Sequence, residues 1–183
     1  YEAKSYKVDF SPINVEPLKK YDIVSREDNQ ANVCVHIKSE QCKSKLKYVS
    51  DIYTSILGNS QNSRLFKLIR EELGLVYSIY AFNDAGANAG EIFIIFGTRP
   101  QNIKKAMAEI KKVILNMAEN GVTEDELLRA KNFKKSCVAY SSETNSDIAE
   151  INATCLHLYE KTLTPAMRVK NFDDVTLKQV NDF

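Results

Sequence analysis

Arg70 and Tyr77 stand on either side of Gly74 in the run SRLFKLIREELGLVYSIY, residues 63–80. A guanidinium is a permanent cation with several N–H donors, and a phenol is a neutral donor on a stiff ring. Two such side chains at a helix-to-strand corner are either ordinary surface or half of a site. As surface, Arg70 near a helix C-terminus complements the helix dipole by roughly 0.3–1 kcal/mol. Tyr77 is then a half-buried strand aromatic with a wet hydroxyl.

Other chemistries fail on residue type or spacing. A zinc site draws about three protein ligands from His, Cys and carboxylates, and this chain has two histidines, His36 and His157. The run His157-Leu158-Tyr159-Glu160-Lys161 imitates a helical H-x-x-E-H, but it ends on a lysine, whose ammonium has no lone pair for a metal. It reads as a half-buried helix histidine followed by solvated charges. His36 shares a strand face with Lys38 and reads as structural. No G-x-S-x-G elbow occurs, and the six glycines form neither a P-loop nor a dinucleotide fingerprint. Glu71-Glu72 and Asp173-Asp174 are sequence neighbours, so their side chains diverge. The chain has no self-sufficient catalytic constellation, and no residue is assigned to a metal.

Composition narrows the class further. With 183 residues the chain is long enough for one domain with a substantial core. Apolar residues are 44% and charged residues 27%, an ordinary globular balance. A formal charge of +1, with lysines scattered among acids, argues against nucleic acid or a membrane surface as partner, and no apolar run has the length a bilayer needs. Four cysteines, Cys34, Cys42, Cys137 and Cys155, form no C-x-x-C pair. They are expected as free thiols in a reducing, cytoplasmic compartment. The chain begins at Tyr1 with no signal-like segment and looks like a piece of something longer.

The elements that must position Arg70 and Tyr77 follow from pattern. Residues 1–20 contain two prolines and little periodicity, an extended lead-in, and residues 21–183 form the domain. Two extended runs flank the polar turn Glu27-Asp28-Asn29. In the second, Val33, Val35 and Ile37 alternate with polar positions, the period of a strand covered on one face. Leu46, Val49, Ile52, Tyr53 and Ile56 repeat at helical spacing and Gly58 follows as a stop. After the polar loop GNSQNS, Ser63 is the expected N-cap of a helix buried through Leu65, Leu68 and Ile69, with Ser63, Lys67 and Arg70 on another face. Gly74 closes that helix. LVYSIYAFND and GEIFIIFGT form an antiparallel hairpin around AGANAG, with the second strand central.

A long helix then starts at Pro100 and stops at Gly121. The Thr123/Glu126 capping box opens another, Thr144 with Asp147 a third, Thr164-Pro165 breaks the run, and TLKQVNDF opens one more helix. The order implies α+β, a largely antiparallel sheet with helices packed on one face.

The blocks ILGNSQNSRLFKLIREELGLVYSIYAF, AGEIFIIFGTRPQNIKKAMAEI, ENGVTEDELLRAKNFKKS and VTLKQV together resemble the second, non-catalytic domain of the pitrilysin/insulinase type of zinc metallopeptidase, which includes mitochondrial processing peptidase. The resemblance runs from about Gln30 to the C-terminus. It implies two similar domains facing each other across a cavity that encloses an extended peptide. The catalytic domain of such a pair carries H-x-x-E-H, which this chain lacks, so the chain alone is expected to be inactive and zinc is expected in the partner catalytic domain. That domain would belong to the same polypeptide or to a partner subunit; a homodimer stays open. The resemblance also gives Arg70 and Tyr77 a role: contacts to the substrate backbone and to the tetrahedral oxyanion. At Asn59, Ser60, Gln61 and Asn62 related proteins often have a glycine-rich segment that touches substrate, which makes this turn a second substrate-binding candidate. The alternative is an assembly role, as in core subunits of the cytochrome bc complex, which resemble the family and do no proteolysis.

Overall fold

The computed structural model describes Ser11, residues 21–25 and residues 28–183; the expected lead-in over residues 1–20 lies, apart from Ser11, outside the described residues. Three strands, β1 (Ala31–Ser39), β2 (Ser78–Ala85) and β3 (Gly90–Thr98), pair antiparallel in the order β1-β3-β2. The sequence therefore places GEIFIIFGT correctly at the centre. The first of the two extended runs does not join this sheet: residues 21–25 form no strand, and Tyr21, Ile23 and Val24 are exposed. Apolar type without a partner edge is not enough to make a strand.

Register decides which face is core. Val33, Phe96 and Ile79 lie side by side across the sheet, as do Val35, Ile94 and Ala81. Ile94, Phe96 and Ala81 are fully buried, and burying an Ile or Phe stabilises the fold by roughly 1.5–3 kcal/mol. The opposite face carries Cys34, His36, Tyr80, Phe82, Phe93 and Ile95. There Phe82 stacks on Phe93 at 5.0 Å, and His36 meets Phe93 edge-on at 4.5 Å.

Helix α1 (Lys47–Gly58) packs on β2 and against α3 (Glu124–Tyr140), with α5 (Pro165–Asp173) and α6 (Leu177–Asp182) beyond it. The sequence pattern gives the apolar spacing of α1, and the structure adds that Ser50, Thr54 and Ser55 are as buried as Ile52. Most of its polar atoms are paired: Thr54 donates to the Ser50 carbonyl at 2.7 Å, and Asp51 takes Lys47 at 2.6 Å and the Asn83 amide at 2.9 Å. Ser55 Oγ is buried without a hydrogen-bond partner among the described residues. Helix α2 (Ile103–Asn120) buries Ala106, Ile110, Val113 and Met117, one helical stripe. Helix α4 (Asn145–Tyr159) buries only Cys155 fully, and His157 on it is exposed, not half-buried as the sequence suggests.

Caps set most boundaries. Thr123 and Glu126 form the expected box, Thr144 accepts from the Asp147 amide, and Thr176 with Gln179 forms a second box at α6. Thr164-Pro165 breaks the chain as expected, but it also starts α5, with Thr164 capping Met167 and proline in the first turn. A breaker and a helix start share the same signature, and the sequence shows only the first.

One ion pair ties the site-bearing segment to the helical layer. Arg64 donates through Nε and Nη2 to both oxygens of Glu126, at 2.7 and 2.8 Å, and through Nη2 to the Gly121 carbonyl at 2.9 Å. The Arg64 hydrogen bonds, with the Thr123 amide, hold the Glu126 carboxyl down at about 2 against the opposing effect of burial. A depressed folded pKa gives stability that is complete above the unfolded value near 4.5 and is lost as pH falls toward about 2. Allowing for partial solvent screening, that contribution is about 1–2 kcal/mol. Glu126→Gln keeps a cap acceptor and removes the charge. Its melting temperature is expected to change less than that of the parent protein between pH 5 and pH 2, in the window set by those two values. Parallel acid titrations of the two proteins would show Glu126 to be unimportant.

Candidate functional site

The corner begins where α1 ends. Gly58 lies so close to β2 that a Cβ there would sit 2.7 Å from the Ala81 Cβ, so only glycine fits. The chain then turns through Asn59, Ser60, Gln61 and Asn62. Ser63 is buried and does not act as N-cap: its hydroxyl donates back to the Ser60 carbonyl at 2.5 Å, and its amide does so at 3.0 Å. The tight turn takes the hydroxyl that the helix start was expected to use.

From Phe66 to Glu72 the helix is π-helical, not α-helical. The Leu73 amide reaches the Leu68 carbonyl at 2.9 Å, and the Leu75 amide reaches Ile69 at 3.0 Å. Leu65 and Ile69 are completely buried, as their spacing predicts, and this pattern does not distinguish a π-turn from an α-turn. Widened turns of this kind recur at functional sites. Gly74, at φ +57°, turns the chain out of the helix.

Beyond Gly74 the segment is fixed to the end of β3. The fully buried Thr98 hydroxyl donates to the Leu75 carbonyl at 2.6 Å, and the Tyr77 amide donates to Gly97 at 2.8 Å. Tyr77 thus stands just before β2, half exposed at 51%. Arg70 is exposed, its guanidinium over the Phe66 ring at 4.7 Å, and its Nε donates to the Tyr77 carbonyl at 3.1 Å. The two residues singled out in the sequence are therefore joined, but through the tyrosine backbone. The Tyr77 hydroxyl is met by Arg99, whose Nε donates to it at 3.0 Å.

Tyr77, Arg99, Asn102, Gly74, Leu75 and Val76 line a shallow cavity of about 180 Å³. Asn59, Ser60, Gln61 and Asn62 are not among its lining; Gln61 and Asn62 are exposed and Asn59 and Ser60 half-buried. Arg99 and Asn102 escape a sequence reading that attends to residues 63–80. The available signal was Thr98-Arg99-Pro100 at the end of the central strand, opposite Tyr77 in a hairpin whose register follows from its turn. Among the described residues, no group of three His, Cys, Asp or Glu side chains could hold a metal ion. The described residues do not fit catalytic zinc.

The α+β sheet with its helices on one face, and the helix-turn-strand corner, define the class. Residues 3–134 match the family described as Peptidase M16 inactive domain, and the chain belongs to that family. It is 26% identical over 156 residues to the uncharacterized zinc protease YmxG of Bacillus subtilis, covering 85% of this chain and 38% of that protein. The chain thus spans little more than a third of that relative. Its fold is that of the inactive peptidase domain of a zinc protease from Bordetella parapertussis, with TM-score 0.73 at 13% identity over 87% of this chain and 86% of that one. A chain of Complex III2 from Candida albicans matches with TM-score 0.75 at 15% identity, covering 86% of this chain and 40% of that one.

Thr98→Val keeps the shape and removes the donor, leaving the Leu75 carbonyl with only the distant Asn102 amide at 3.5 Å. Unfolding in denaturant is expected to show a loss of about 1–3 kcal/mol, the cost of a buried acceptor left unpaired. Unchanged stability would mean that the corner is held by other contacts.

Proposed function

We propose that this chain is the substrate-positioning domain of a zinc-dependent metalloendopeptidase, acting with a zinc-bearing domain of the same polypeptide or of a partner subunit. The observation that carries this reading is the way Tyr77 is held. Its amide is bound to Gly97, its carbonyl to Arg70 and its hydroxyl to Arg99, while half of its surface stays open beside a cavity. A residue fixed at two backbone points and at its hydroxyl, and still exposed, is suited to meet an extended peptide that a second domain presents. In this role Arg70 and Tyr77 contact the substrate backbone and the oxygen that gains charge as the amide is attacked. Pre-aimed donors do this without reorganising. The turn at Asn59, Ser60, Gln61 and Asn62 is a second substrate contact in the proposal, through the exposed Gln61 and Asn62.

A second reading, an assembly role without proteolysis, has one supporting observation: the fold match to a chain of Complex III2. The relatives named as zinc proteases and the polar, partly open corner favour the first.

The test uses the whole protein that contains this chain and an unstructured peptide substrate. Arg70→Ala and Tyr77→Phe are each expected to lower kcat by roughly 100-fold, as loss of one oxyanion donor does, with KM little changed. Wild-type turnover in both variants removes the proposed role. No turnover by the unsubstituted protein moves the assignment to assembly.

A further inference from the structure

Tyr77 is useful as a donor only if its proton points at the substrate, and a phenol proton chooses between two settings in the ring plane. Arg99 removes this choice. Arg99 Nε donates to Tyr77 Oη at 3.0 Å, so one side of the phenol oxygen is occupied by an N–H. Two donors cannot point at each other, and the hydroxyl proton must turn away from Arg99.

Arg99 itself is well held along its backbone. It follows Thr98, the last residue of the central strand, and precedes Pro100, which keeps it extended at φ −72° and ψ 142°. Its carbonyl accepts from the Asn102 amide at 2.9 Å, closing the first turn toward α2. Tyr77 is bound to the same strand end through Gly97. The two side chains are thus carried by adjacent backbone segments with a fixed separation, and both line the cavity of about 180 Å³. Apart from this bond to Tyr77, the Arg99 side chain makes no hydrogen bond or ion pair among the described residues, so its place is not explained by charge neutralisation.

We propose that Arg99 is a positioning residue of the substrate site: it occupies the acceptor side of the Tyr77 hydroxyl and directs the phenol proton toward the peptide. This rests on the reading that Tyr77 contacts substrate. Arg99 acts through Tyr77, not on the peptide, and the two side chains must therefore behave as one unit.

A double-mutant cycle in the whole protein separates this from a structural or independent role. Arg99→Met keeps the length of the stem and removes every donor; Arg99→Lys keeps a single-headed donor. Arg99→Met is expected to lower kcat about tenfold with KM little changed, the size of coupling seen between contacting groups. In the Tyr77→Phe background the same substitution should lower kcat by less than about twofold, since no hydroxyl is left to direct. Arg99→Lys should recover part of the loss. Equal losses from Arg99→Met in both backgrounds, or full turnover in the single variant, overturn the inference while leaving the role of Tyr77 intact if Tyr77→Phe is slow. Wild-type turnover in Tyr77→Phe overturns both. Because Arg99 is exposed, its variants should fold, and unchanged thermal unfolding of Arg99→Met keeps a kinetic loss from being read as a folding defect.

Discussion

The geometry of the corner depends on one buried hydrogen bond, from the Thr98 hydroxyl to the Leu75 carbonyl. Leu75 has left the π-helical turn and has not yet entered β2, so its carbonyl has no ladder partner. In the interior an unpaired carbonyl is costly, and the last side chain of the central strand satisfies it. With the Tyr77 amide on Gly97 beside it, the corner is docked on β3 at two adjacent points. β3 is the most enclosed strand, with Ile94, Phe96 and Thr98 all fully buried. The exposed tyrosine is therefore carried by the least deformable part of the sheet. Sites supported this way keep their geometry better than sites on loops.

The corner is held from its other end as well. Arg64 grips Glu126 and the Gly121 carbonyl, while Leu65 and Ile69 are sealed in the core. Between these anchors and β3 the chain must make a π-helical stretch and a left-handed glycine. A π-turn is poor helix geometry and persists only where surrounding contacts fix it. Its consequence is local: Arg70, the last side chain before the two glutamates that end the stretch, comes over the Phe66 ring and reaches the Tyr77 carbonyl.

Much of this was legible in the sequence because strong local rules agreed with the tertiary outcome. The hairpin, the central β3, the Thr123/Glu126 box, the buried Leu65 and Ile69 and the role of Gly74 all follow from period and turn chemistry. What escaped depended on partners far away in sequence. Tyr21, Ile23 and Val24 have strand-like types but no edge to pair with among the described residues. Ser63 has the right type for a cap but was claimed by its own turn. Ser50, Asp51 and Thr54 lie outside the apolar positions read at helical spacing and are buried where α1 packs on β2 and α3. At the candidate site the sequence pointed to Arg70 and Tyr77 and missed Arg99, which is twenty-two residues away from the tyrosine and meets it only once the hairpin closes.

The distribution of ion pairs gives the corner its electrical character. Arg64 and Arg129 are each matched with a carboxylate, and Lys47, Lys112, Lys135, Lys170 and Lys178 likewise. Most of these pairs are local, within a helix turn or across one helix packing. Arg70 and Arg99 depart from this habit: each gives its Nε to Tyr77, and neither meets a carboxylate among the described residues, although Glu71 and Glu72 adjoin Arg70 in sequence. Neither guanidinium makes a further hydrogen bond among the described residues. An acid paired with either arginine would offset its charge next to Tyr77. With none there, each guanidinium keeps its full charge beside the Tyr77 segment, Arg70 at its carbonyl and Arg99 at its hydroxyl.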